Sequence, residues 1–262
     1  MHRCGSIAVL LLLVLAALTG AHGAQLPLSS DIEPFISGGT ETDNGHLVYI
    51  VELIKAPKFI NKPAEHLGAG TLLTKDWVLT TVAAAPELPW MEAWKHVLVA
   101  VGRADGSDGI QFEIDDKKSA IEPTNGILKL LKLTKSVELN ASTRPANLPS
   151  SSTVSAGLPA ILAGWGSDGK KLNSVSVTVL AREKCVAEGM SSLPDDQICT
   201  STEGNACKGD DGAPLVVDRG TGAFRVVGIA TGTDKQSDKC DERSAYVNVA
   251  MYTSWILNTL YQ

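Results

Sequence analysis

The segment Cys207-Lys208-Gly209-Asp210-Asp211-Gly212-Ala213-Pro214-Leu215-Val216 sets two adjacent carboxylates between glycines, and Asp115-Asp116 repeats the pair earlier in the chain. Paired acids suit metal binding or general acid–base work. A calcium site needs more oxygen ligands at short spacing than either pair supplies. Asp115-Asp116, followed by Lys117-Lys118, reads as a solvated turn. Beyond residue 23 the imidazoles are His46, His66 and His96, and the thiols are Cys185, Cys199, Cys207 and Cys240. The cysteines lack the close Cys-x-x-Cys spacing of a zinc site. No Gly-x-Ser-x-Gly motif or Cys–His pair offers a nucleophile, and the three histidines read as surface or strand residues. No metal and no cofactor are expected.

The compartment follows from the first residues. Arg3 precedes an apolar stretch, Ile7 to Leu18, too short for a membrane span, and Ala21-His22-Gly23 places small residues where signal peptidase reads. Residues 1–23 are therefore expected to be a signal peptide, cleaved after Gly23, and residues 24–35 a short leader. Cys4 leaves with the signal segment. The four remaining cysteines of an exported chain read as two disulfides, for which three pairings are open. Asn140-Ala141-Ser142 is a glycosylation acceptor. Among the 262 residues 44% are hydrophobic and 20% charged, an ordinary globular balance. The formal net charge of −6, with no basic block, argues against nucleic acid or an anionic membrane as partner.

Short β-prone runs recur between turn residues: His46 to Ile54, Trp77 to Val82, Val97 to Val101, Ile127 to Leu133, Ser174 to Leu180 and Phe224 to Ile229. Many short strands with such punctuation predict an all-β sandwich or barrel. Helical periodicity is scarce until Met251 to Leu260, which predicts a terminal helix. Pro145 to Ser152 reads as an exposed connection between two halves.

Several segments, taken in order, resemble the chymotrypsin/trypsin-type (S1) serine proteases. Ile36-Ser37-Gly38-Gly39 is similar to the N-terminus made on zymogen activation. Gly70-Thr71-Leu72-Leu73 and Trp77-Val78-Leu79-Thr80 resemble the strands leading to the catalytic histidine, and Ile127 to Leu133 resembles the Asp-Ile-Ala-Leu-Leu-Lys-Leu strand. Leu162-Ala163-Gly164-Trp165-Gly166 resembles the Gly-Trp-Gly segment, and Cys207 to Val216 resembles Cys-Gln-Gly-Asp-Ser-Gly-Gly-Pro-Leu-Val. The likeness spans 36–262. It implies an all-β fold of two six-stranded antiparallel β-barrels with a C-terminal α-helix. It also implies the bridges Cys185–Cys199 and Cys207–Cys240.

Acyl transfer on this frame needs a serine, a histidine to take its proton and an aspartate to orient the imidazole. Aligned on the motifs, the histidine place holds Ala83, the aspartate place Ile127 (or Gly126 with a one-residue slip) and the serine place Asp211. None of the first two accepts a proton, and a carboxylate at 211 puts negative charge where the N–H groups of Gly209 and Asp211 would stabilise an oxyanion. The bridge beside the histidine is missing at both ends, Gly68 and Ala84. Asn205 takes the place at the floor of the specificity pocket, where trypsin-like members carry Asp. Ile36 and Asp210, the pair that locks an activated enzyme, are retained, but Phe35 offers a trypsin-like activator no basic residue.

The resemblance thus implies a secreted, extracellular, non-catalytic serine protease homologue acting through a protein partner. Such homologues occur in arthropod haemolymph, gut, saliva and parasite secretions, where they modulate protease cascades or defence, and some relatives are allergens. The stretch ahead of Ile36 carries no cysteine-rich clip-like module, which implies the non-clip type. A structural or storage-type protein and a residual hydrolase built on Asp211 are the alternatives.

Overall fold

A computed structural model describes residues 36–42, 46–58, 63–103, 109–151, 153–220, 222–231 and 244–262. The signal segment, the leader with Phe35, and Cys240 lie outside the described residues. The apolar runs cut by turn residues become two antiparallel sheets. The first contains β2 (Ile50–Pro57), β3 (Glu65–Thr74), β4 (Trp77–Thr81), β5 (Lys95–Val101), β6 (Ile110–Glu113), β7 (Ala120–Ile121) and β8 (Leu128–Lys132), in the order β6-β5-β2-β3-β4-β8-β7. The second contains β1 (Thr40–Glu41), β9 (Pro159–Gly164), β10 (Asn173–Thr178), β11 (Gln197–Cys199), β12 (Pro214–Asp218), β13 (Phe224–Ala230) and β14 (Ala245–Asn248), in the order β1-β10-β9-β12-β13-β14-β11.

The expectation was six strands per barrel. Each sheet has seven among the described residues, because a two-residue ladder, β7 or β1, is added at one edge. Both sheets close, which removes exposed strand edges. In the first, Ile114 bridges Leu133 and the Asp115 N–H donates to the Lys132 carbonyl at 2.7 Å. In the second, Val179 bridges Thr200 and the Ser201 N–H donates to the Thr178 carbonyl at 2.8 Å.

An apolar cluster runs across the seam between the two sheets. Leu79, Leu128 and Leu130 of the first share it with Leu162, Leu215, Val226 and Ile229 of the second. Tyr49 stacks at a tilt on Phe224, centroids 4.8 Å apart. A second cluster, including Val51, Leu53, Leu72 and Val99, fills the first barrel. Residues 145–151 follow the first sheet's strands, and the exposed connection expected there is partly buried: Ala146 is 4% exposed, and its N–H donates to the Leu72 carbonyl at 2.8 Å.

Two α-helices follow among the described residues, beside a 3-10 turn at Trp90–Glu92. α2 (Val249–Leu260) starts two residues before the predicted Met251, because the Asn248 side chain accepts from the Ala250 N–H at 3.1 Å and caps it. α1 (Arg182–Ala187) was not expected from periodicity: it is short, and Cys185 is its one buried residue. Cys185 bridges Cys199 of β11, the pairing the resemblance implied. With 14 residues of separation, replacing both cysteines by alanine is expected to cost about 3 kcal/mol. Urea unfolding of the double variant measures this, and an unchanged midpoint would show that α1 is held by its packing alone.

Candidate functional site

Backbone hydrogen bonds bring the three places of the expected triad to one corner of the seam. β4 ends at Thr81, and the Val82 N–H donates to the Ile127 carbonyl at 2.9 Å, so the loop carrying Ala83 lies against the start of β8. The Ala84 N–H donates to Thr81 Oγ1 at 3.2 Å and shapes that loop. From the other side, the Ala69 N–H of β3 donates to the Asp211 carbonyl at 2.8 Å. Thr80 Oγ1 fixes the same stretch by donating to the Ala69 carbonyl at 2.7 Å. Ala83 is exposed, and Ile127 and Asp211 are half-buried. The spot where an imidazole would stand is open, with a methyl group at it.

Gly68 and Ala84, the two ends of the missing bridge, face each other. A Cβ on Gly68 would fall 2.8 Å from the Ala84 Cβ and 2.5 Å from the Asp211 carbonyl oxygen. Glycine at 68 is what permits so close an approach. Gly209 has φ of 91°, a left-handed conformation, with the Gly166 and Ser167 backbone packed where a side chain would go.

Asp210 is 1% exposed. Its Oδ2 accepts from the Cys207 N–H at 2.9 Å and its Oδ1 from the Gly166 N–H at 2.8 Å. Burial pushes its pKa up to about 7, against the pull of those N–H groups and of the nearby His66 charge, while Asp211 adds to the rise. Ile36 is fully buried in the seam cluster. Ser37 pairs with Asn205. Asn205, 4% exposed, uses its side-chain oxygen to accept from the Ser244 N–H at 3.3 Å. The amide at the expected pocket floor is thus engaged with the protein's own backbone. Residues 232–243 lie outside the described residues. Cys207 is disulfide-bonded, and its implied partner Cys240 falls in that gap.

His66 departs from its reading as a plain strand or surface histidine. It lies on β3, but its side chain is only 7% exposed and enters the site. Nδ1 meets Glu52 Oε1 at 2.7 Å and Nε2 meets the Gly209 carbonyl at 2.8 Å. Glu52, on β2, is fully buried, and its other oxygen receives Arg103. A carboxylate inside the apolar run Ile50-Val51-Glu52-Leu53-Ile54 was the signal in the sequence, since a buried charge demands a partner. Both acceptors around His66 are oxygens, so the ring donates from both nitrogens when it is cationic. Burial alone would lower its pKa. The bond and charge of Glu52, with the Gly209 carbonyl and Asp210, outweigh burial and the net shift is upward. In that cationic form both nitrogens are committed, and the ring has no lone pair for a substrate proton.

The trypsin family model matches residues 36–256. The chain belongs to the trypsin family. Among relatives, duodenase-1 of Bos taurus is 27% identical, the match covering 96% of each chain. Chymotrypsin-2 of Vespa crabro is 28% identical over 84% of this chain and 98% of its own. Trypsin I-P38 of Gallus gallus is 24% identical over 95% of this chain and 98% of its own. Among the described residues no group of three or more His, Cys, Asp or Glu is arranged for a metal.

The raised His66 pKa has a definite sign. A group whose folded pKa lies above its unfolded value stabilises fully below about pH 6.5 and loses that contribution as pH rises through the folded pKa. Glu52→Gln removes the carboxylate that raises it, leaving burial dominant. NMR titration of the His66 ring is expected to give a pKa above about 6.5 in the wild type and a lower one in Glu52→Gln. An unchanged value in the variant would contradict the assignment of cause.

Proposed function

We propose that this chain is a secreted, catalytically inactive member of the trypsin family that works by binding another protein. The observation that carries the reading is the exposed methyl of Ala83 in the base position, while the nitrogens of His66 already meet Glu52 and the Gly209 carbonyl. Without a base, no hydroxyl near Asp211 becomes an alkoxide. Without a carboxylate at 127, an imidazole would lack its orienting partner. Asp211 sets an anion where acyl transfer needs oxyanion stabilisation. The names of the relatives are those of proteases, and the motif order in this sequence sets Ala83, Ile127 and Asp211 against the three acting positions.

Export is supported by the signal-like start, by the disulfide chemistry and by the exposed Asn140 of the glycosylation sequon. Among the described residues no helix is long and apolar enough to cross a membrane. The class this most resembles is the non-clip serine protease homologue of arthropod secretions, which acts on protease cascades or in defence.

The test is hydrolysis. Protein beginning at Ala24 and protein beginning at Ile36 are assayed on a broad peptide library and with a covalent serine-hydrolase probe. No labelling and no turnover are expected, a loss of roughly 10⁶-fold or more in kcat against a working triad. Turnover that vanishes in Asp211→Ala would overturn the reading and assign a new mechanism to that carboxylate.

A further inference from the structure

Lys129 is a buried lysine with no counter-charge among the described residues. It stands on β8 at the place where the family's Asp-Ile-Ala-Leu-Leu-Lys-Leu strand carries alanine. The residue is 8% exposed, and its Nζ donates to the Ala85 carbonyl at 2.9 Å. Among the described residues no carboxylate lies within ion-pair range of it. An ammonium has three donors, so the Ala85 carbonyl leaves two of them to be met from elsewhere. Ionised amines are costly to bury on a neutral acceptor alone.

The elsewhere is a cavity of about 590 Å³, bordered by Ala85, Lys129 and Leu131. That volume is in the range of ligand-sized clefts. Glu87, Glu113 and Asp116 also border it, are exposed, and have no ion-pair partner among the described residues. Two further lysines at the cavity are engaged: Lys58 donates to the Ala93 carbonyl at 2.9 Å and Lys95 pairs with Glu92 at 3.2 Å. The charge pattern is a cation held inside and acids outside. An occupant that satisfies both presents a carboxylate inward and basic groups at the rim.

The loop between β4 and β5 forms one wall through Pro86, Leu88 and Ala93. Trp90, Met91 and Trp94 on the same loop are 85%, 66% and 43% exposed. Three large apolar side chains on one solvent-facing loop mark a protein contact surface, where tryptophan and methionine are enriched. A free small acid would leave those side chains uncovered, whereas a polypeptide segment covers them.

We infer that this cavity docks a segment of a partner protein. The segment places an Asp or Glu carboxylate on Lys129, Lys or Arg side chains against Glu87, Glu113 and Asp116, and apolar side chains on Trp90 and Met91. The inference rests on the binding function proposed above and names the surface that performs it.

Panning a displayed library of random dodecapeptides on the full secreted chain tests it. Enriched peptides are expected to share an Asp or Glu flanked by Lys or Arg, with apolar neighbours. Lys129→Met keeps the aliphatic stem and is expected to weaken them about tenfold or more, the loss of one charge-assisted hydrogen bond. The double variant Trp90→Ala/Met91→Ala, at solvent-exposed positions, leaves the fold intact and is expected to weaken them about threefold or more. Thermal melts of each variant identify any that is misfolded, and the other variant then decides. No enriched acidic motif, peptides that bind Lys129→Met as well as wild type, or succinate binding as tightly as the peptides would each overturn the inference. Peptide turnover in the hydrolysis assay would instead sink the non-catalytic reading, and leaves the Lys129 result standing or falling by itself.

Discussion

Glu52 is a fully buried carboxylate in the middle of an apolar strand, and the corner where the two barrels meet is built around that charge. Left alone it would be among the most unfavourable groups in the protein. Arg103 neutralises one oxygen and His66 the other. The far nitrogen of His66 then holds the Gly209 carbonyl, so a charge in the first barrel fixes the backbone of the segment that carries Asp210 and Asp211. The Ala69–Asp211 backbone bond runs beside it. Together they fasten the Gly209–Asp211 segment to β3, independently of any catalytic side chain.

That independence lets the frame stand whatever side chains occupy positions 83, 127 and 211. Val82 to Ile127 and Ala69 to Asp211 are main-chain bonds, indifferent to whether residue 83 is histidine or 127 aspartate. At Gly68 and Ala84, where the resemblance implies a missing bridge, the backbones lie at a distance at which only glycine fits. Buried Asp210 is held by two N–H groups. Its pKa near 7 means that burial resists its charge even with those donors. The His66 cation, anchored by Glu52, is the nearby positive charge that offsets this.

The strands were readable because each is a short apolar run ended by Gly, Pro or Asn, and the motif order supplied their topology. Boundaries moved where local chemistry competed with the pattern. The run from His46 becomes strand only at Ile50, since the Ile50 N–H closes a turn on the Leu47 carbonyl at 3.2 Å. α1 escaped because a short helix has little room for a periodic signal and is held by one disulfide. At the site, Ala83, Ile127 and Asp211 were legible as substitutions against a motif. His66 was not, because its role depends on Glu52 and Gly209, 14 and 143 residues away. No window along the chain joins those three. Lys129 was hidden in the same way, inside a strand motif that it otherwise fits.

A fold whose backbone bonds do not depend on the side chains at its acting positions cannot by itself signify activity. The trypsin frame sets where loops emerge, and the side chains on them decide what is done. Among the described positions that break ordinary rules of burial are Glu52, Asp210, Lys129 and the exposed Trp90–Met91 pair. The first two face the old catalytic corner and are satisfied by the protein's own groups, which makes them structural. Lys129 and Trp90–Met91 are not satisfied within the described chain. Lys129 has donors left over beside a cavity, and the tryptophan and methionine have apolar surface left in water. Unsatisfied groups of opposite character, one ionic and one apolar, on adjoining elements call for an occupant that brings both a carboxylate and hydrocarbon. A protein segment has that mixture, which is why the physical evidence for function lies on the loop beside the corner rather than in it.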